Sequence, residues 1–247
     1  MANFGFSRLT VVAPYEPHWQ EAKSAIGAED LLQNTRRTET LAEAVAECTL
    51  VIGTGTLTYR KPEEPVVALP DLVAFIESKG ARGTAPGGRI ALVFGPEKHG
   101  LTREDLSHCH VLVEIPTDPA QPSMNLGQAV AVCLYELATR LFSSDVEPTT
   151  LDPDVPPFPQ RKTERMGHGA PVTDLARTYD AAATASRQEL LAGLVEELMV
   201  ASDYSPAAMR EANRHDLRLL LRRLTLTDKD TRRILGLLRR VLWKLRN

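Results

Sequence analysis

The chain has 247 residues, 43% hydrophobic and 25% charged, with a formal net charge of -3. That balance excludes a wholly disordered, collagen-like or coiled-coil chain and allows one large core with an appendage. No run reaches the ~18 to 20 apolar residues that a membrane span needs, and the opening MANFGFSRLTVVAP has no basic segment leading into an apolar one, so a cytoplasmic protein is expected. The cysteines, Cys48, Cys109 and Cys133, are odd in number and far apart. They indicate neither a disulfide framework nor a zinc ribbon and read as buried or incidental thiols.

In chain order, residues 9–12 (LTVV), 50–52 (LVI), 90–94 (IALVF) and 111–115 (VLVEI) read as strands, apolar enough to be buried on both faces. Residues 39–48 and 71–79 read as helices; the second follows Pro70 and places Leu72, Phe75 and Ile76 at helical spacing. A longer helix is expected over 124–142, with Leu126, Val130, Leu134, Leu137 and Leu141 forming one stripe. Strands alternating with helices define an α/β fold with a parallel sheet over residues 1–142. Residues 143–173 follow as a linker, since Pro148, Pro153, Pro156, Pro157, Pro159 and Pro171 permit neither a helix nor a packed core.

Residues 174–247 then form a helical region, with helices over 188–200, 206–224 and 228–245. Thr227 is the expected N-cap of the last, with Asp230 three positions on. Leu217, Leu220, Leu221 and Leu224 are expected to face inward, as are Ile234, Leu237, Leu238, Val241, Leu242 and Leu245, which turns the arginines outward. The near-neutral total conceals an asymmetry. Residues 210–247 hold 12 Lys/Arg against 4 Asp/Glu, a net of +8, and residues 1–209 hold 17 against 28, a net of -11. A basic end on an acidic body fits contact with a polyanion and equally fits a solvated amphipathic face.

Three strand ends carry candidate chemistry. IALVF runs into Gly95-Pro-Glu-Lys-His-Gly100; a glycine there lets another backbone or a ligand approach where open sheets bind ligands, and it equally suits a tight turn with Glu97 on the surface. VLVEI leads through residues 116–122 (PTDPAQP) to Ser123-Met124-Asn125, where Ser123 or Asn125 can cap the long helix or face a substrate. Gly53-Thr54-Gly55-Thr56 has the same layout without a G-x-G-x-x-G pattern, which argues against a dinucleotide site. His108 and His110 flank Cys109, but alternating positions do not converge on one ion, and no metal is expected.

Taken in order, GPEKHGL after one strand and IPTDPAQPSMNLGQAVAVCLYEL after the next closely resemble the second and third motifs of the SpoU/TrmH branch of the SPOUT RNA methyltransferases. The ending RHDLRLLLRRLTLTDKDTRRILGLLRRVLWKL is similar to the helical tail of the TrmJ-like subgroup, which methylates ribose 2′-oxygens in tRNA anticodon loops. The resemblance implies a SPOUT-type parallel sheet with a deep trefoil knot, a homodimer, S-adenosyl-L-methionine as cofactor and RNA, specifically tRNA, as substrate. It implies cofactor contacts at Thr54, Gly55, Thr56, Gly95, Ile115, Ser123, Met124, Asn125 and Leu126, and active-site roles in ordering and positioning for Glu97, Ser123 and Asn125. The basic tail would bind RNA phosphates.

The front differs from the family pattern, which normally begins with a further strand and an N-x-x-G-x-x-x-R segment before a stretch like residues 3–12 (NFGFSRLTVV). The arginine of that segment has no counterpart in these residues, and Arg8 lies past the motif. The sequence therefore leaves two alternatives to a fully active enzyme of this start: a start site lying further upstream, or an RNA-binding relic of the same fold. An unrelated nucleotide-binding α/β enzyme would need a phosphate loop that the sequence does not supply.

Overall fold

The computed structural model describes residues 1–14, 27–55, 62–79, 88–142 and 181–246; the linker expected over 143–173 and Thr56 lie outside them. The described strands are β1 (Thr10–Val12), β2 (Arg36–Thr38), β3 (Leu50–Thr54), β4 (Val66–Ala68), β5 (Ile90–Val93) and β6 (Val111–Glu114). The described α-helices are α1 (Glu29–Gln33), α2 (Leu41–Ala44), α3 (Leu72–Ser78), α4 (Arg103–Ser107), α5 (Leu126–Phe142), α6 (Ala185–Ala201), α7 (Arg210–Arg223) and α8 (Asp228–Arg246). Four strands form a parallel sheet in the order β4-β6-β3-β5, and β1 pairs with β2, also in parallel, as a separate two-stranded sheet. No helix among the described residues is long and apolar enough to cross a membrane.

The interior strands follow the expected pattern. Leu50, Ile52, Val111 and Val113 point to one face of the sheet and pack with Leu72, Val73 and Ile76 of α3 and Cys133 and Leu137 of α5. Val51 and Leu112 point to the other face and meet Leu41 of α2, Val45, Cys109 and Ala185 of α6. Period-two alternation thus feeds two cores, which is why β3 and β6 are apolar at nearly every position. Burial on both faces does not extend to β1 and β5. Val12 and Ile90 are exposed, because among the described residues β5 is an edge strand and β1 pairs only with β2. The helix expected over 39–48 is also shorter than its periodicity suggests: Thr40 caps α2, accepting from Glu43 N at 3.2 Å, and the helix ends at Ala44.

Cys109 and Cys133 are buried free thiols, pushed by burial to about 12 and about 11, and Cys48, half-buried, is also raised by burial. His110 fastens β6 to β3. Its backbone N–H donates to the Val51 carbonyl at 2.8 Å, and its Nδ1 accepts from the Val51 N–H at 3.1 Å. That second bond needs a neutral ring. Burial, then the Arg222 charge, pushes the imidazole down to about 3. The unfolded chain binds this proton from about pH 6.5 downward and the folded chain does not, so stability is complete above pH 6.5 and falls with acidification. The expected loss is about 2 kcal/mol at pH 5. Urea titrations at pH 7 and 5 check this, and His110→Gln should flatten the difference; an unchanged slope would assign it to another group. His108, by contrast, faces Glu104 at 3.8 Å and Glu189 at 3.5 Å, so the two histidines diverge.

The C-terminal helices rest on the second face of the sheet. The first-turn amides of α6 donate to body carbonyls, Ala185 N to Cys48 O at 2.8 Å and Ser186 N to Ala46 O at 3.0 Å, which satisfies donors that a helix start leaves unpaired. Leu191 and Ala192 of α6, Leu221 of α7 and Leu235 of α8 form a third apolar cluster. Thr227 caps α8 as expected, accepting from Asp230 N at 3.1 Å while its hydroxyl donates to Asp230 Oδ2 at 2.7 Å.

Two expectations for these helices are corrected. Leu220, Leu224, Leu237, Val241 and Leu245 are exposed, whereas Leu219 is buried in their place, since a three-helix packing encloses a narrower stripe than the leucine count suggests. The arginines of α7 do not all point outward. Arg222 is 3% exposed, bonded to Gln188 and to Glu189 at 2.7 Å, and Arg218 reaches Glu104, Glu189 at 3.1 Å and Ser107 at 3.5 Å. His215 Nε2 lies 3.1 Å from Glu63 Oε2, which adds a second polar link between α7 and the body. Burial works against the Glu189 charge, yet His108, Arg222 and Arg218 outweigh it and hold the carboxyl below its ordinary value.

Candidate active site

The carboxyl ends of β3, β5 and β6 bring the candidate loops together, where an open parallel sheet places its ligands. The β5 loop, residues 95–100, is a turn closed by Gly100 N donating to Pro96 O at 2.7 Å. Both its glycines are structural. A Cβ on Gly95 would stand 2.2 Å from the Gly100 carbonyl carbon, and Gly100 has a φ of +64°. Of the two approaches open to Gly95 in the sequence, the loop's own backbone accounts for the close one. Gly100→Ala, where a Cβ meets only open space, should cost about 1 kcal/mol through backbone strain alone, read from the urea midpoint. A neutral result would mean that the loop relaxes out of the left-handed region.

The β6 loop is shaped by Asp118, which accepts from Ala120 N on its side chain at 2.8 Å and from Gln121 N on its carbonyl at 2.9 Å, and by Thr117, which donates to Pro122 O at 3.3 Å. It delivers Ser123, Met124 and Asn125 to the start of α5. Asn125 is the residue that caps the helix: its Oδ1 accepts from Gly127 N at 2.9 Å and Gln128 N at 3.4 Å. Its Nδ2 donates to Glu97 Oε1 at 2.5 Å. One amide thus holds the helix start and the β5 loop together. Glu97, Ser123 and Asn125 are all exposed, so the carboxylate and the hydroxyl open to solvent at the rim.

Of the other expected positions, Thr54 donates its hydroxyl to Val93 O at 2.9 Å, fastening the end of β3 to that of β5. At Gly55 no described atom lies within 4 Å of where a Cβ would stand. Ile115 packs half-buried against the first core, Met124 is half-buried and Leu126 is exposed. The rim therefore combines bare backbone at Gly55, an apolar edge at Met124 and Leu126, and polar groups at Glu97, Ser123 and Asn125. Sequence reasoning passed over α4, whose capping box pairs Thr102 with Asp105; the T-R-E-D spacing signals it.

Residues 1–135 match the model of the SpoU rRNA Methylase family. Over 153 residues the chain is 36% identical to the tRNA (cytidine/uridine/adenosine-2′-O-)-methyltransferase TrmJ of Pseudomonas aeruginosa, covering 62% of this chain and 58% of that protein. Over 160 residues it is 33% identical to the tRNA (cytidine/uridine-2′-O-)-methyltransferase TrmJ of Salmonella typhimurium, covering 64% of this chain and 63% of that protein. The chain thus spans less than two thirds of the length of these curated relatives. In fold it is similar to the crystal structure of TrmJ from Z. mobilis, with a TM-score of 0.72 at 24% identity, covering 98% of this chain and 89% of that one.

Proposed function

The chain belongs to the SpoU rRNA methylase family, and on that footing we propose that it methylates a ribose 2′-oxygen of RNA, with tRNA as substrate and S-adenosyl-L-methionine as donor. The observation that carries this reading is the Asn125 to Glu97 hydrogen bond, which unites the second and third motifs of the family at the carboxyl edge of the sheet. The rim fits such a donor: open backbone at Gly55 and the apolar edge of Met124 and Leu126 suit a purine, and the polar groups beside them suit an amino-acid end. When bound, the cofactor supplies an already activated methyl group.

The protein's part is then alignment. A ribose hydroxyl is a poor nucleophile at neutral pH, so its rate depends on holding it in line with the methyl and on a polar neighbour for its proton. Asn125 orients Glu97, and Ser123 stands free on the same rim to position the sugar. We read residues 1–142 as the methyltransferase unit, knotted and dimeric, and 174–247 as the RNA-binding part of a cytoplasmic protein with no metal requirement. Exposed Val132 and Tyr135 on α5 support a second copy against that helix. The test is calorimetric titration with S-adenosyl-L-methionine, followed by transfer of labelled methyl to bulk tRNA and nucleoside mapping. Binding with transfer to a 2′-oxygen is expected. Absence of binding overturns the reading, and binding without transfer favours the RNA-binding relic.

A further inference from the structure

The positive charge of the C-terminal helices is unevenly committed. On α7, Arg214 is bound to Glu196, His215 to Glu63, Arg218 to Glu104 and Glu189, and Arg222 to Glu189. On α8, Arg232 pairs with Asp228 and Arg246 with Glu197, whereas Arg233, Arg239 and Lys244 have no ion pair to any described residue. Arg210 and Arg223, at the two ends of α7, likewise have no ion pair to any described residue, but the cations that are grouped along one helix face and left without an acidic partner lie on α8.

Their arrangement is specific. Thr231, Leu235 and Leu242 are the buried residues of α8. At about 100° per residue, the next sector round the helix carries Arg239, Arg232, Trp243, Gly236, Lys229, Arg240, Arg233 and Lys244. Trp243 is 54% exposed in the midst of these cations, with the Arg240 guanidinium 4.5 Å from its ring centroid. Gly236 stands two turns before the indole, where a Cβ would meet nothing within 4 Å. Glycine is unfavourable inside a helix, and no packing here requires it; its effect is to leave the surface beside the indole low. The exposed Leu237 and Val241 lie more than about 100° further round, so the indole belongs to the basic sector and not to an apolar one.

We propose that this sector of α8 is a stacking platform for single-stranded RNA, with an unpaired base lying on Trp243 over the low ground at Gly236 and the flanking phosphates held by Arg233, Arg239 and Lys244. The proposal deepens the RNA methyltransferase reading and rests on it for the choice of polyanion. An aromatic face among cations binds unstacked bases with little sequence preference, and a base inside a duplex is not available to it. Single-stranded RNA is thereby distinguished from a phosphate ladder alone, which would need no indole, and from a lipid surface, which would place the indole among Leu237 and Val241.

The tryptophans of the chain are Trp19 and Trp243, so Trp19→Phe leaves emission that reports on Trp243. This variant should be titrated with a uridine oligomer of about 15 nucleotides, with an RNA duplex of equal length and with phosphatidylglycerol vesicles. The single strand is expected to quench the emission saturably and the duplex is not. Read by the anisotropy of end-labelled oligomers, since these variants lack the reporting indole, Trp243→Ala should weaken the single strand about 10-fold and leave the duplex unchanged, while Trp243→Phe, which keeps a ring, retains most of the affinity. Equal single-strand affinity for Trp243→Ala and its parent overturns the platform, as does a response to vesicles without quenching by RNA. Methyl transfer to tRNA by the parent separates the two readings: transfer without Trp243-dependent binding removes the platform alone, and Trp243-dependent binding without transfer removes the enzyme alone.

Discussion

Replacing Arg222 with alanine is expected to lower the folding stability by about 3 kcal/mol, the cost of breaking a buried, hydrogen-bonded charge pair. The guanidinium is 3% exposed and holds Gln188 and Glu189, on the face of α6 turned toward the body. Truncation strands a carboxylate that burial already disfavours and leaves it to Arg218 and His108. A companion variant carrying Arg222→Met and Glu189→Gln removes both charges at similar volume and should recover more than half of the loss, because no carboxylate is then left desolvated without its partner. Urea unfolding of the three proteins reads the difference. A loss below about 1 kcal/mol would put the pair in the class of surface contacts and sink the assignment of Arg222 as the pin that fixes α7 to α6. The same geometry bears on how RNA binding by the tail should be tested. Deleting 210–247 would uncover Leu191 and Ala192 and remove this pin, so substitutions on the outer face of α8 are the cleaner probe.

Such a pin was not legible in the sequence. Helical periodicity assigns Arg218 and Arg222 to the solvent side because it knows only the leucines of its own helix; Glu189 lies 33 residues from Arg222 and Glu104 lies 114 residues from Arg218, and nothing local marks them as partners. Strands β3 and β6 were legible because burial on both faces leaves an unbroken apolar run, whereas β2 is spelled Arg36-Arg37-Thr38 and pairs with β1 alone among the described residues, so its sequence carries no apolar signal. At the rim, Glu97 and Asn125 were marked by motif order, and that order says nothing of their contact. The sequence offered Ser123 and Asn125 equally as caps of α5; only the hydrogen bonds decide for Asn125, and they show its amide working at both ends. Gly95 read as an opening for a ligand or for backbone, and the approach of Gly100 is a fact of loop closure that one glycine in a row of six residues cannot announce.

Because Asn125 has two duties, substitutions can separate them. Asn125→Asp keeps an oxygen to accept from Gly127 N and so keeps the cap of α5, but it replaces the donor to Glu97 with a second carboxylate. The variant is expected to melt with the wild type and to transfer methyl about 100-fold more slowly, the order of loss that follows when a positioned group is displaced by about an ångström. Asn125→Ala removes both bonds and should in addition lose about 1 kcal/mol of stability with the cap. Combining Asn125→Asp with Glu97→Gln restores a hydrogen bond with donor and acceptor exchanged. If the link between the β5 loop and α5 is what positions the substrate, this pair regains at least a tenfold part of the rate; if the Glu97 carboxylate itself meets the reacting group, the pair stays as slow as the single variant. Thermal melts and initial rates at saturating tRNA distinguish these cases, and a wild-type rate for Asn125→Asp would refute the positioning role outright.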